Sequence, residues 1–122
     1  MRKVVVIVFC LLLSNVAWAD DCSNLPSEEI MGCADQESEK AEKMLGKIYR
    51  EQNKRLRDDP IAMKHFHETE KLWLKFKQHE CTPAHGIVSV GGLALSKLCV
   101  SAARVERAKE LQKFLDSEDS YQ

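Results

Sequence analysis

Apolar side chains recur at three- and four-residue steps along most of this chain, which is the spacing of an amphipathic helix. In the segment EKLWLKFKQHEC, residues 70–81, Trp73 and Phe76 share one face with Phe66. An aromatic side chain can remove about 150–250 Å² from water, so this face is predicted to be buried at the centre of the core. Pro83 follows two residues later. Because a proline disfavours helical backbone just before it, the helix should end at the cysteine.

A first helix is predicted upstream of this segment. It begins near Ser27, whose hydroxyl can cap a helix, and Glu28 and Glu29 lie against the positive end of the helix dipole. Its apolar stripe consists of Ala34, Glu37, Ala41, Leu45, Ile48, Gln52 and Leu56. Asp59 caps a second helix that runs from Pro60 to about Glu80. The connection is short, so the first two helices should lie antiparallel.

A third helix follows a substantial loop. The loop TPAHGIVSVGG, from Thr82 to Gly92, has no helical period and contains one proline and three glycines. The stripe of the third helix consists of Leu95, Leu98, Ala102, Val105, Ala108, Leu111 and Leu115. This helix is predicted to end near Asp116, before a disordered polar tail at residues 117–122.

These patterns together predict an all-α fold, a three-helix antiparallel bundle. The predicted core includes the largest apolar side chains of the three stripes: Leu45, Tyr49, Trp73, Phe76, Leu98 and Leu111.

The first 19 residues have the pattern of a secretory signal peptide. Arg2 and Lys3 precede an apolar run at residues 4–13, and Ala17 and Ala19 form a small-x-small cleavage pattern. The run is far shorter than the about 20 residues of a membrane span, so no stable membrane insertion is predicted. We expect a single helical domain at residues 20–116, periplasmic or secreted after cleavage near Ala19.

Removal of the signal peptide changes the charge and the cysteine count. Two of the 18 basic residues are lost, so 16 remain against 19 acidic ones and the formal net charge becomes −3. This mild acidity argues against nucleic acid as a partner. Four cysteines remain in a secreted chain, and an even number indicates two disulfides.

The four cysteines should meet at one end of the bundle, because the first helix begins where the second ends and the third begins. Three pairings of Cys22, Cys33, Cys81 and Cys99 are possible. We favour Cys81 with Cys99, which closes the glycine-rich loop between two helix ends. Cys22 then ties the N-terminal segment to Cys33.

A framework of residues spans nearly the whole mature chain: Cys33, Ala34, Glu37, Ala41, Leu45, Tyr49, Trp73, Phe76, Cys81, Gly91, Gly92, Cys99, Arg107, Ala108, Glu110 and Leu111. This framework resembles that of the LprI-like lysozyme inhibitor family. The sequence departs from the family pattern at Glu42, Gly46, Glu70 and Lys77, where Asp, Asn, Gln and Arg are expected. The resemblance implies a secreted all-helical protein that binds a protein partner and inhibits lysozyme.

The loop from Thr82 to Gly92 is the candidate partner-binding site, with His85, Gly86, Gly91 and Gly92 as its candidate residues. Lysozyme cleaves glycans with two carboxyl groups in a cleft, and the imidazole of His85 can donate hydrogen bonds to such groups. A Cys81–Cys99 disulfide would limit the freedom of the loop before binding. The alternative is that His85 is an exposed loop histidine with no role.

Two histidines invite a metal-site interpretation. His65 and His67 lie two residues apart, so on a helix they point about 200° away from each other and cannot chelate one ion.

Two glutamates on apolar stripes invite a catalytic interpretation. Glu37 and Glu70 are predicted instead to pair with a basic side chain, namely Arg104, Arg107 or Lys77, or to lie at the edge of the stripe. We therefore predict no catalytic, metal or cofactor site and no enzymatic activity.

Two functions fit these patterns. One is a stoichiometric lysozyme inhibitor that occludes the active-site cleft. The other is a periplasmic interaction or immunity protein that binds another toxin or an envelope component.

Overall fold

The computed structural model describes residues 22–83 and 86–119. A one-turn 3₁₀ helix, Cys22–Asn24, precedes three α-helices: α1 (Ser27–Arg55), α2 (Pro60–Glu80) and α3 (Val90–Asp119). This part of the chain contains no strand, and the all-α prediction is confirmed. The predicted signal peptide and His85 lie outside the described residues.

The start of α2 was predicted correctly, and that of α1 only in part. The Asp59 carboxylate accepts a hydrogen bond from the backbone N–H of Ala62 at 2.9 Å, as a helix cap should. The predicted cap at Ser27 is wrong, because Ser27 is already helical and no described side chain caps this end. The carbonyl of Pro26 accepts the first helical bond, from Ile30 at 3.1 Å.

The third helix begins earlier than predicted. Ser89 caps it: its hydroxyl accepts from the N–H of Gly92 and its carbonyl accepts from that of Leu93, both at 3.0 Å. Gly91 and Gly92 therefore belong to the first turn of α3, and the loop ends at Ser89. A β-carbon at Gly92 would lie 3.3 Å from the Ser89 hydroxyl, so glycine suits this capped turn.

The third helix also ends later than predicted, at Asp119. Arg55, the last residue of α1, binds this end. Its guanidinium donates to the Leu115 carbonyl at 3.1 Å and forms ion pairs with Asp119 at 3.1 Å and Glu118 at 3.5 Å. Residues 117–119 are thus helical and do not form a disordered tail. The last three residues of that predicted tail lie outside the described residues.

The two long helices, α1 and α3, lie side by side and parallel, while α2 runs antiparallel to both. Lys97 pairs with Asp35 and Arg104 with Glu42, each across 62 residues of sequence, so the register between α1 and α3 is constant. Short side chains line the contact and let the two helices approach closely: Ala34, Ala41, Ala94, Ser101 and Ala108. The predicted up-down-up arrangement follows.

The core consists of two clusters along the α1–α3 contact. One contains Ile30, Ala34 and Ala94, with Leu25, Met31 and Leu98 packed against it. The other contains Leu45, Ile48, Ala108 and Leu115, with Tyr49, Trp73 and Leu111 packed against it.

The second helix is not the centre of the core, contrary to the prediction. Within α2, all of which is described, only Glu70 is buried. Trp73 packs against the second cluster, but Phe76 is 60% exposed. Phe76 lies about 120° around the helix from Glu70, so it points away from the bundle when Glu70 points inward.

The buried face of α3 also differs from the predicted stripe. Leu95 and Ala102 are exposed, whereas the buried residues are Ala94, Ser101, Ala108 and Leu115. In the first half of α3 the buried face is therefore rotated by one residue, about 100°, from the predicted one, whereas Ala108 and Leu115 are buried as predicted. The reason is that small side chains, not the bulkiest ones, form the close contact with α1.

Candidate functional site

Two disulfides lie at the end of the bundle where α1 and α3 begin, which we call the cysteine-rich end. They join Cys22 to Cys33 and Cys81 to Cys99, with 5.6 Å between the α-carbons in each pair. This is the pairing favoured from the sequence. The first holds the 3₁₀ turn against α1, and the second closes the loop between α2 and α3.

The loop from Thr82 to Ser89 is held by local hydrogen bonds as well. The Thr82 hydroxyl donates to the carbonyl of Gln78 at 2.6 Å, and the N–H of Gly86 donates to the carbonyl of Pro83 at 2.8 Å. Gly86 has a φ of +76°, in the left-handed region that favours glycine. Gly86 thus has a structural reason to be in the loop.

Exposed aliphatic side chains surround this loop: Ile87, Val88, Val90, Leu93 and Leu95, which we call the apolar tip. Val88 is 88% exposed. From Cys81 to Ser96 the sequence has no Asp, Glu, Lys or Arg, although 30% of the chain is charged. A group of exposed apolar side chains marks an interaction surface.

The sequence interpretation named the glycines and the histidine of this region and missed the aliphatic residues. Gly86 lies in the loop beside the apolar tip, while Gly91 and Gly92 lie in the adjoining helical turn. The absence of charge along this stretch was the signal that could have identified the tip.

A buried ion pair connects the three helices below the cysteine-rich end. Glu70 of α2 is 6% exposed and accepts from the Tyr49 hydroxyl of α1 at 2.6 Å. Arg107 of α3 donates to the same carboxylate through Nε, at 3.1 and 3.2 Å, and through Nη2. The guanidinium also binds Glu110 at 3.0 Å and lies 5.7 Å from the Trp73 ring centre.

The partners of the two glutamates were predicted with mixed success. Glu70 binds Arg107, as expected. Glu37 pairs with none of those three side chains. It binds Lys40, one turn away on α1 at 3.0 Å, and is half-buried at the edge of the stripe, which was the other position predicted for it. Glu70 thus has a structural role, joining α2 to the packed pair of α1 and α3.

The same network shifts two pKa values. Burial, together with the neighbouring Glu70 carboxylate, raises the pKa of the Tyr49 phenol well above its usual value. The hydrogen bond to Glu70 raises the pKa of Arg107, which therefore stays charged at every accessible pH.

Alkaline pH should destabilise the protein in part through Tyr49. Because its pKa is higher in the folded state, the folded chain keeps a proton that the unfolded chain loses above about pH 10. The stabilisation of the fold that Tyr49 contributes is fully present below about pH 10 and is lost as the pH rises above that value. Urea midpoints measured from pH 8 to 10.5 should fall more steeply for the wild type than for Tyr49→Phe, and equal slopes would contradict the assignment.

The described residues contain neither a metal-binding arrangement nor a helix suited to span a membrane. No group of three His, Cys, Asp or Glu side chains there is arranged to hold a metal ion. No helix in this part of the chain is long and apolar enough to cross a membrane. His67 lies 2.8 Å from the Asn53 amide oxygen, and His65 is exposed.

The fold and the site define a small helical protein with two disulfides and one exposed apolar tip. The chain belongs to the family described as lysozyme inhibitor LprI, whose model matches residues 21–111, or 91 of 122 residues. The match covers both disulfides and the three helices as far as Leu111, and it confirms the resemblance found in the sequence. Comparisons with curated proteins and with solved structures gave no match.

Proposed function

We propose that this protein is a periplasmic or secreted inhibitor of lysozyme that binds the enzyme stoichiometrically and occludes its active-site cleft. Membership of the LprI family supports the choice of partner. The signal-peptide pattern of the first 19 residues supports the location. The observation that carries the mode of action is the exposed apolar tip at the cysteine-rich end.

The shape of the molecule supports the tip as the contact surface. A cleft that accepts a sugar chain needs a protruding element, and the sides of the bundle are straight. Those sides also carry exposed ion pairs between residues three or four apart, such as Lys43 with Glu39 and Lys64 with Glu68. The tip has no charges to desolvate, and apolar anchors surrounded by a polar rim typically dominate a protein interface.

The Cys81–Cys99 disulfide should increase the affinity of the apolar tip for lysozyme. It joins Cys81, where the loop begins, to Cys99 of α3 and so reduces the conformational entropy that binding would cost. Lysozyme holds one of its two carboxyl groups protonated in an apolar pocket. The aliphatic tip suits the apolar part of such a cleft, and the imidazole of His85 can donate to its carboxyl groups.

Changes at the tip should weaken inhibition. Val88→Asp, and separately His85→Ala, should each cost about 1–3 kcal/mol of binding, the range for losing an interface anchor or a hydrogen bond to a charged group. Removal of residues 86–90 should have at least the same effect. The measurement is a cell-wall lysis assay with the oxidised protein, run against several lysozyme types, with helicity checked by circular dichroism.

The matched controls are Lys47→Ala and Glu51→Ala, on the exposed side of α1. They should leave inhibition unchanged. If they abolish inhibition while Val88→Asp and His85→Ala have no effect, the tip is not the contact surface. If the wild type inhibits no lysozyme, the alternative of an immunity or envelope-interaction protein is favoured, and a pull-down from the secreting cell would identify its partner.

A further inference from the structure

A long groove runs along α1 beside α2, because α1 and α3 pack directly while the large side chains of Tyr49 and Trp73 hold α2 away. At the cysteine-rich end α3 forms part of its wall. The groove consists of three clefts of about 360, 220 and 310 Å³. The first two share Glu42 and Arg104 in their walls. The last two share Tyr49 and Leu74. From Ser38 to Asn53 on α1 the groove is about 22 Å long at 1.5 Å per residue.

The cleft nearest the cysteine-rich end is polar but electrically balanced. Its two basic side chains are paired: Arg104 with Glu42 at 3.3 Å, and Lys97 with Asp35. Three neutral polar side chains of its wall make no hydrogen bond to described residues: Ser38, Gln78 and Ser96. This cleft therefore offers free hydroxyl and amide groups without a net charge to attract an ion.

The two lower clefts add aromatic and aliphatic surface. Tyr49 and Trp73 line the middle cleft, and Phe66 lines the lowest one. Asn53 and His67 add polar groups beside Phe66. The groove thus alternates apolar faces with hydrogen-bonding groups, the combination that fixes and orients a polar organic ligand.

A helical glycine keeps the middle of the groove open. Gly46 lies in the interior of α1, where glycine costs about 1 kcal/mol relative to alanine. A β-carbon there would meet only the Arg50 guanidinium, at 3.5 Å, which is ordinary contact. Packing therefore does not require glycine at this position, and the absence of a side chain here leaves the middle cleft open.

We propose that the α1–α2 groove binds an uncharged linear oligosaccharide. Sugar rings present apolar C–H faces and many hydroxyl groups, which match the aromatic and neutral polar walls. The basic side chains of the first cleft are paired, and the lowest cleft is lined by one acidic and one basic side chain, Glu70 and Lys71. These charges do not favour an anionic ligand. A partner helix would require a continuous apolar groove, and the polar cleft interrupts it. This proposal does not rest on lysozyme inhibition, because the apolar tip is a different surface.

The test uses the oxidised protein and the tetramer of β-1,4-linked N-acetylglucosamine as the probe, measured by calorimetry. We expect saturable binding with a Kd below about 1 mM. Gly46→Leu should weaken it at least about tenfold, because the new side chain fills the middle cleft. Gln78→Ala, on the exposed side of α2, should weaken it about fivefold, the loss expected for one hydrogen bond.

The matched control is Gly32→Leu, because Gly32 also lies in α1 with open space around it and does not line the groove. It should bind the probe as the wild type does, and circular dichroism should show all variants equally helical. No saturable binding, or equal losses in the two glycine variants, would overturn the proposal. So would saturable binding of an amphipathic helical peptide that Gly46→Leu abolishes. Direct binding of purified lysozyme should be unchanged in Gly46→Leu, which separates this groove from the inhibitory surface.

Discussion

Replacement of Arg107 by alanine should destabilise the protein by about 3–5 kcal/mol, the usual cost of removing one partner of a buried ion pair. The Glu70 carboxylate would stay buried with the Tyr49 hydroxyl as its one remaining donor among the described residues. A small domain has about 5–15 kcal/mol of stability in total, so the variant should lose much of it. Urea denaturation at pH 7 measures the effect.

A double variant tests whether the cost comes from the unpaired charge. Glu70→Leu combined with Arg107→Met should recover most of the lost stability, because apolar residues of similar size often replace a buried ion pair without cost. A loss below about 1 kcal/mol in Arg107→Ala would be typical of an exposed ion pair and would contradict a structural role for this network.

The helices themselves could be predicted because their signals are local. Asp59 and Pro60 specify the start of α2, and the proline at position 83 limits its extent. Each of these effects acts through neighbouring backbone within one turn. Topology alone did not select the pairing of the cysteines, because it brings all four to one end of the bundle. The pairing favoured for closing the loop after α2 is the one observed.

The packing of the helices could not be predicted from periodicity. The period identifies the face of a helix that is apolar, but it does not identify which neighbour that face meets. Large residues such as Trp73 and Phe76 suggested that α2 was central, whereas Ala94, Ser101 and Ala108 determine the closest contact. Their seven-residue spacing was visible in the sequence and is typical of helices that pack side by side over their whole length.

The loop after α2 was predicted, but the aliphatic character of its exposed surface was not. The loop near His85 was identified from its glycines, yet its exposed residues are aliphatic, and Val88 had no role in the sequence interpretation.

The end of α3 depends on Arg55, which lies 60 residues away from Leu115 in sequence. Such a contact becomes visible only when the fold places the two helix ends together.

Removal of the Cys81–Cys99 disulfide by substitution of both cysteines with serine should cost about 3 kcal/mol of stability and should weaken lysozyme inhibition about tenfold or more. The disulfide closes a loop of sequence separation 18, and its loss increases the entropy of the unfolded chain. It also frees the loop beside the apolar tip in the folded state, so binding would have to order that loop again.

The Cys22–Cys33 disulfide is the matched control for that prediction. Its sequence separation is 11, and because the closure entropy depends on the logarithm of loop length, its removal should also cost about 3 kcal/mol. It holds the 3₁₀ turn against α1 and does not close the loop after α2. The two double variants should therefore have similar urea midpoints. Under conditions where both variants are fully helical, only the variant with Cys81→Ser and Cys99→Ser should lose inhibition. Equal losses of inhibition would show that the disulfides act only through stability, and full inhibition by both would show that lysozyme does not depend on an ordered tip.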